Sequence, residues 1–245
     1  MSGDEQRLAR DEGGSKGKDC GVSAKIRRRT WSRARRPEEK QARREAILAA
    51  ARDLVDAGGL DAASLSAIAR RSKISKANLY RYFESREDIL LEVISEDSEA
   101  WSIELAQTLG GLAGSDDHEA VIAGLVESVC ARPRLGMLTA VMSSVLEHNV
   151  SAERIAEFKR GYGARVEPLV AALAAALPLA PADAMRFMTF FFVALAGAWP
   201  IAHPPAVVAE VLADEEFRPL AVDYETHLEA HARALLVGML GSRDG

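Results

Sequence analysis

Between Ser64 and Glu92 the chain reads SLSAIARRSKISKANLYRYFESREDILLE, and this stretch leaves little freedom of fold. Ser64 stands before Leu65, Ile68 and Ala69, an apolar set at helical spacing, so it caps a short helix running to about Arg71. A tight turn is expected over 72–74. A second helix is expected from about Ser75 to Tyr82, with Leu79 and Phe83 turned inward. Ser85 with Asp88 three residues later forms a capping box for a further helix, whose apolar side continues through Ile89, Leu90, Val93 and Ile94. Two short helices around a tight turn have the form of a helix-turn-helix. Such a unit braces one helix on a nucleic-acid backbone and places the other in the major groove.

The outer side chains of the second helix have the matching chemistry. Asn78 suits adenine, Arg81 suits guanine, and Ala77 can touch a thymine methyl. Tyr82 joins them as a base-reading candidate, partly packed. Lys76 and Tyr80 suit phosphates, which fix register without reading sequence. Ser64 and Ser66, at the start of the bracing helix, can hold another phosphate with hydroxyls and backbone amides. Arg86, in the first turn of the next helix, is a further phosphate candidate.

The charge distribution points to a polyanion partner at one end only. The net charge of −5 divides into +6 over residues 1–36, −1 over 37–96 and −10 over 97–245. Residues 1–36, rich in charge, Gly and Ser, read as a disordered arm. Its arginine-rich run from Lys25 to Arg36 could lie along DNA phosphates or in a narrow minor groove. A first helix is expected from Pro37, with Glu38 and Glu39 complementing its positive end. Ile47, Leu48, Ala51, Leu54 and Val55 form its buried stripe, and Gly58-Gly59 end it.

Beyond Glu96 the chain keeps helical periodicity, with apolar patterns at Val121–Cys130, Leu135–Leu146, Ala152–Leu177, Ala182–Trp199 and Tyr224–Leu240. No stretch alternates with the period of a strand. Hydrophobic residues make up 48% of the 245, enough to bury a sizeable core. The expected fold is all-α, with a three-helix module over 37–84 and a helical bundle over 85–245, whose first part, 85–99, links the two. Cys20 and Cys130 form neither a disulfide framework nor a metal spacing, so a reducing cytoplasm fits. The uncharged run Phe187 to Ala202 is shorter than the roughly 20 residues that cross a bilayer, and is expected to be a buried helix.

The stretch Ile74-Ser75-Lys76-Ala77-Asn78-Leu79-Tyr80-Arg81-Tyr82-Phe83-Glu84-Ser85-Arg86-Glu87-Asp88-Ile89-Leu90 resembles the signature of the TetR family of bacterial transcriptional regulators. The flanking Ile47 to Ala57 and Leu65 to Arg70 fit as well. The resemblance implies an all-helical homodimer on a palindromic DNA operator, touched by Ser64, Ser66, Lys76, Asn78, Tyr80, Tyr82 and Arg86. One departure stands out: the family usually has glycine in the tight turn, where this chain has Lys73.

The resemblance also implies a small-molecule effector pocket in the bundle and a dimer interface made by its last two long helices. Pocket candidates are Trp101, Met137, Met142, His148, Phe158, Tyr162, Arg165, Met188 and Trp199, mostly apolar with His148 and Arg165 as polar anchors. They favour a lipophilic or aromatic effector. Interface candidates are Phe187, Phe190, Phe191, Ala194, Ala198, His227 and His231. Enzymatic readings find little. His227 and His231 are four apart, but in HLEAH rather than HExxH and without a third ligand. Gly161-Tyr162-Gly163 has no strand before it and marks a helix bend rather than a dinucleotide site. No catalytic group, metal or cofactor is expected. The reading is a ligand-responsive transcriptional repressor. The alternatives are an activator or architectural DNA-binding protein of the same fold, or a sensing or scaffold protein without sequence-specific DNA binding.

Overall fold

The computed structural model describes the backbone of residues 20–241 and the side chains of 37–241. It comprises two compact units, residues 1–44 and 45–245. The described residues form helices and no strands.

Helix α1 spans Cys20–Ala62. It therefore begins well before Pro37, and the 20–36 part of the expected disordered arm is helical in its backbone; residues 1–19 lie outside the described residues. Lys, Arg and Ala are all good helix formers, and their run carries the helix through Pro37, which removes one N–H from the ladder and crowds the preceding turn. The expected end at Gly58-Gly59 is a break inside α1. Gly59 adopts φ 69° and ψ −167°, a backbone that glycine takes without strain. Ile47, Leu48, Ala51 and Val55 are buried along one side of α1.

Helices α2 (Leu65–Ser72), α3 (Lys76–Leu79) and α4 (Arg86–Gly110) follow. Each is preceded by a serine whose hydroxyl accepts a backbone N–H three residues on. The pairs are Ser64 with Ala67 at 3.2 Å, Ser75 with Asn78 at 3.3 Å and Ser85 with Asp88 at 3.1 Å. Each cap satisfies a donor that the helix itself leaves unpaired. Ile68, Leu79, Phe83 and Ile89 are buried with the α1 stripe in a shared core.

The bundle contains α5 (His118–Cys130), α6 (Pro133–Val141), α7 (Ala152–Ala176), α8 (Pro181–Ala202) and α10 (Tyr224–Gly241). Long α4 packs along α7, while α8 packs on α6, α7 and α10, and α10 also packs on α5. A π-helical turn, Met142–Leu146, and a 3-10 turn, Glu147–Asn149, form the corner between α6 and α7. Short α9, Ala206–Leu212, lies between the patterns Ala182–Trp199 and Tyr224–Leu240, where no helix is expected. At 22 residues α8 is longer than the uncharged run within it, and by length and composition it could cross a membrane. Its inner side is nevertheless core: Phe187, Met188, Phe191, Leu195 and Ala198 are all buried.

Candidate nucleic-acid interface

The turn between α2 and α3 is built on Lys73, which takes the left-handed conformation at φ 57° and ψ 31°. It is the one non-glycine residue with positive φ among the described residues. The backbone N–H of Ile74 donates to the Ala69 carbonyl at 3.0 Å, and that of Lys73 to the Arg70 carbonyl at 3.3 Å. These two bonds are the Schellman closure of a helix end, for which glycine is the least strained residue. Lysine keeps the geometry at a steric cost, so the turn is not reshaped.

Past the turn, α3 is a single turn of helix, shorter than the expected 75–82. The chain stays coiled to Phe83, because Arg81, Tyr82 and Phe83 donate to the carbonyls of Asn78, Leu79 and Leu79 at 3.2, 2.9 and 3.1 Å. Leu79 and Phe83 are buried, which turns Lys76, Ala77, Asn78, Tyr80 and Arg81 out to solvent. Tyr80, at 59% exposure, is among the most exposed large side chains of the chain. Tyr82 is half-buried and packs on the core edge. Ser64 and Ser66 are exposed at the start of α2. Arg71, not among the expected contact residues, pairs with Asp53 at 2.7 Å and ties α2 to α1.

Arg86 stands in the first turn of α4, as expected. Its guanidinium is turned inward, where Nη2 donates to the Leu60 carbonyl and Nε is buried. Leu60 lies just past the glycine break in α1, and its carbonyl also accepts the backbone N–H of Ala63 at 3.2 Å. Arg86 is thus tied to the last turn of α1.

In the bundle, the pocket candidates separate into groups. Trp101, Tyr162, Phe158 and Arg165 come together where α4, α7 and α8 meet. Trp101 and Tyr162 both contact Phe192 edge-on, with ring centroids at 5.6 and 6.4 Å. Sequence reasoning missed Phe192 because its triple-Phe run offers no way to tell which ring turns inward. Arg165 folds back along α7 over Gly161, where a Cβ would collide with it. Its Cζ lies 5.3 Å from the Phe158 ring, and Nη2 donates to the Phe158 carbonyl at 3.1 Å. Its Nε is buried with no partner. Burial lowers the guanidinium pKa, and Glu99 and Glu92 offset that only in part. The two glycines thus leave α7 unbroken, and Gly161 makes room for the Arg165 side chain.

The remaining candidates lie elsewhere. Trp199 stacks on His203 at 3.8 Å and meets Tyr224 edge-on at 5.3 Å. Met188 is buried, Met142 packs at the edge of the core, and His148 is exposed on the α6–α7 corner. Met137 lines a different cavity, of about 470 Å³, with Val55, Asp56, Asp97, Arg132 and Arg134. The interface candidates divide too. Phe187, Phe191 and Ala198 are buried within the chain, on the side of α8 that joins the core. The outward side of α8 carries Phe190 at 43%, Val193 at 68%, Gly197 in open space and Ile201 at 56% exposure. Ala194 is half-buried, and His227 and His231 are exposed on α10 with rings 6.1 Å apart.

Two family profiles cover most of the chain. Residues 47–93 match that of the bacterial regulatory proteins of the tetR family. Residues 95–243 match the tetracyclin repressor-like C-terminal domain. The chain belongs to the TetR family. It is a transcriptional regulator with a DNA-binding helix-turn-helix. Similar solved structures include a possible TetR family transcriptional regulator from Streptomyces coelicolor A3(2), with 22% identity and a TM-score of 0.52, covering 81% of this chain and 99% of the other. Others are a transcriptional regulator from Rhodococcus sp. Rha1 (19%, TM-score 0.46, covering 80% and 96%) and the fatty acid degradation regulator FadR from Bacillus halodurans (18%, 0.45, 79% and 94%). No curated protein matches this TetR-family chain.

Proposed function

We propose that this TetR-family chain is a cytoplasmic, ligand-responsive repressor that binds a palindromic operator as a homodimer. The observation that carries the reading is the exposed row Lys76, Ala77, Asn78, Tyr80 and Arg81, held rigidly by buried Leu79 and Phe83. Lys76 and Tyr80 hold phosphates, while Asn78 and Arg81 read base edges. Ser64 and Ser66 add a phosphate contact at the start of α2. Two such units must meet half-sites about 34–36 Å apart, which requires a symmetric dimer. The outward apolar side of α8, with Phe190, Val193, Gly197 and Ile201, and the exposed side of α10 support that interface.

The effector is a small lipophilic or aromatic molecule, received beside the Trp101–Phe192–Tyr162 rings and the Phe158–Arg165 pair. Support comes from the unpartnered Arg165 Nε, a buried donor that a ligand acceptor would satisfy. Binding releases DNA to the extent that the effector prefers the conformation whose reading helices no longer match adjacent major grooves. The test is salt-dependent binding to palindromes from the region upstream of the protein's own gene. Affinity for one of them well above that for random duplex is expected, and equal affinity for both rejects the repressor reading.

A further inference from the structure

A closed ring of hydrogen bonds joins the first turn of α7 to the segment that carries the reading residues into α4. Asp88 is buried, and its Oδ2 accepts the backbone N–H of Glu84 at 2.9 Å. The Glu84 carboxylate accepts both the N–H and the hydroxyl of Ser151, at 3.1 and 2.9 Å. Ser151 in turn caps α7 by accepting the backbone N–H of Arg154 at 3.3 Å. The Arg154 guanidinium closes the ring by donating from Nε to Asp88 Oδ1 at 2.6 Å, while Nη2 reaches Glu92. Only 13% of the Arg154 side chain and 6% of the Asp88 side chain are exposed.

The chemistry of this ring favours direction over stability. A largely buried ion pair recovers little net free energy after desolvation, yet it holds its partners in one geometry, because any other leaves a charge unpaired. A planar guanidinium adds angular definition that an ammonium lacks. The groups held are also telling. Glu84 directly follows the Phe83 anchor, and Asp88 is in the first turn of α4. In an ordinary capping box, Asp88 would reach back to the N–H of Ser85. Here it reaches one residue further, to Glu84, and so grips the connecting segment itself. The other end of the ring is the α6–α7 corner, where a π-helical turn interrupts regular helix. Such turns recur where a helix must carry a functional distortion.

We infer that Arg154, with Ser151, is a positioning device for DNA recognition, fixing the direction in which the reading residues leave the bundle. It touches no nucleic acid itself. The inference rests on the proposed reading of palindromic DNA. In it, the ring sets which half-site spacing the dimer accepts.

The experiment compares the wild-type chain with Arg154→Ala and with Glu84→Gln, a milder change at an exposed side chain that spares the buried pair. The probe is the palindrome that the wild-type chain selects from a random duplex library, together with versions respaced by about one base pair. Both variants should lose about tenfold in affinity for the parent palindrome and lose less on respaced ones, flattening the spacing preference. Arg154→Lys should recover only part of the loss. Amide exchange should quicken over residues 76–90 and stay unchanged in α8 and α10. The inference is overturned if both variants keep the wild-type affinity and spacing profile, or if affinity falls equally at every spacing while exchange rises throughout the chain. If the wild-type chain selects no sequence, the proposed function fails, and the exchange pattern alone then decides whether the ring holds the reading segment.

Discussion

Lys73 pays a conformational penalty that its neighbours make necessary. The paired N–H groups of Lys73 and Ile74 close α2 only when residue 73 is left-handed. A Cβ there costs of the order of 1 kcal/mol, part of which glycine would return in the greater freedom of its unfolded chain. Lys73→Gly is therefore expected to stabilise the protein by about 0.5 kcal/mol, read as a higher urea midpoint at unchanged slope; a lower midpoint would show that lysine makes compensating contacts. At the reading surface, Asn78→Ala should relax preference at one base position, whereas Lys76→Ala should weaken all sequences alike and reduce the salt slope by about one. Competitive selection on a mutated operator series separates the two, and an unchanged profile for Asn78→Ala removes it from base readout. The outward and inward sides of 76–83 are legible in the sequence because Leu79 and Phe83 allow only one orientation. The inward turn of Arg86 is not, since its partner is a backbone carbonyl near a glycine break 26 residues away.

Among the elements, helices with strong periodic patterns can be read directly: α2, α5, α7, α8 and α10 fall close to where their apolar stripes put them, whereas α4 starts at its serine cap but runs past the expected 99 to Gly110. Less legible are elements whose shape is set by neighbours. Short α9 lies between prolines and buries no residue fully, so it has no stripe to announce it. On α8 the small residues suggest one surface for close approach, yet Ala198 faces inward while Gly197 faces out. A Cβ at Gly136 of α6 would strike the Trp199 ring of α8. Gly136→Ala should accordingly destabilise the fold by about 1–3 kcal/mol, the usual range for overpacking a well-filled core. Thermal unfolding measures this, and a melting temperature equal to wild type would mean that Trp199 can move aside without loss.

For the whole molecule, two expectations concern assembly and alkaline stability. Val193 stands at 68% exposure in the middle of the outward side of α8. In the proposed homodimer, Val193→Arg should shift the protein toward monomer in sedimentation and weaken operator binding with it; a dimer that persists would place the interface elsewhere. Burial pushes the Cys130 thiol from 9.0 up to about 11, aided by Glu225, Asp223 and Glu229. Burial raises the Tyr224 phenol as well, with Cys130 adding to the effect. Because both groups hold their protons more tightly when folded, the thiol's contribution is complete below pH 9.0 and is lost as pH rises through about 11. The urea midpoint should fall over that window, and Cys130→Ala should lessen the fall; a flat profile would contradict the burial of both groups. The single turn of α3 carries a last consequence. Four residues of helix cannot persist alone in water. The shape that meets DNA is thus borrowed from Leu79, Phe83 and the α1 side chains beneath them. Cells scored for operator recognition would therefore return core variants at Ile68 or Leu79 as readily as variants of the surface, and a map of such losses would trace the interior of the module.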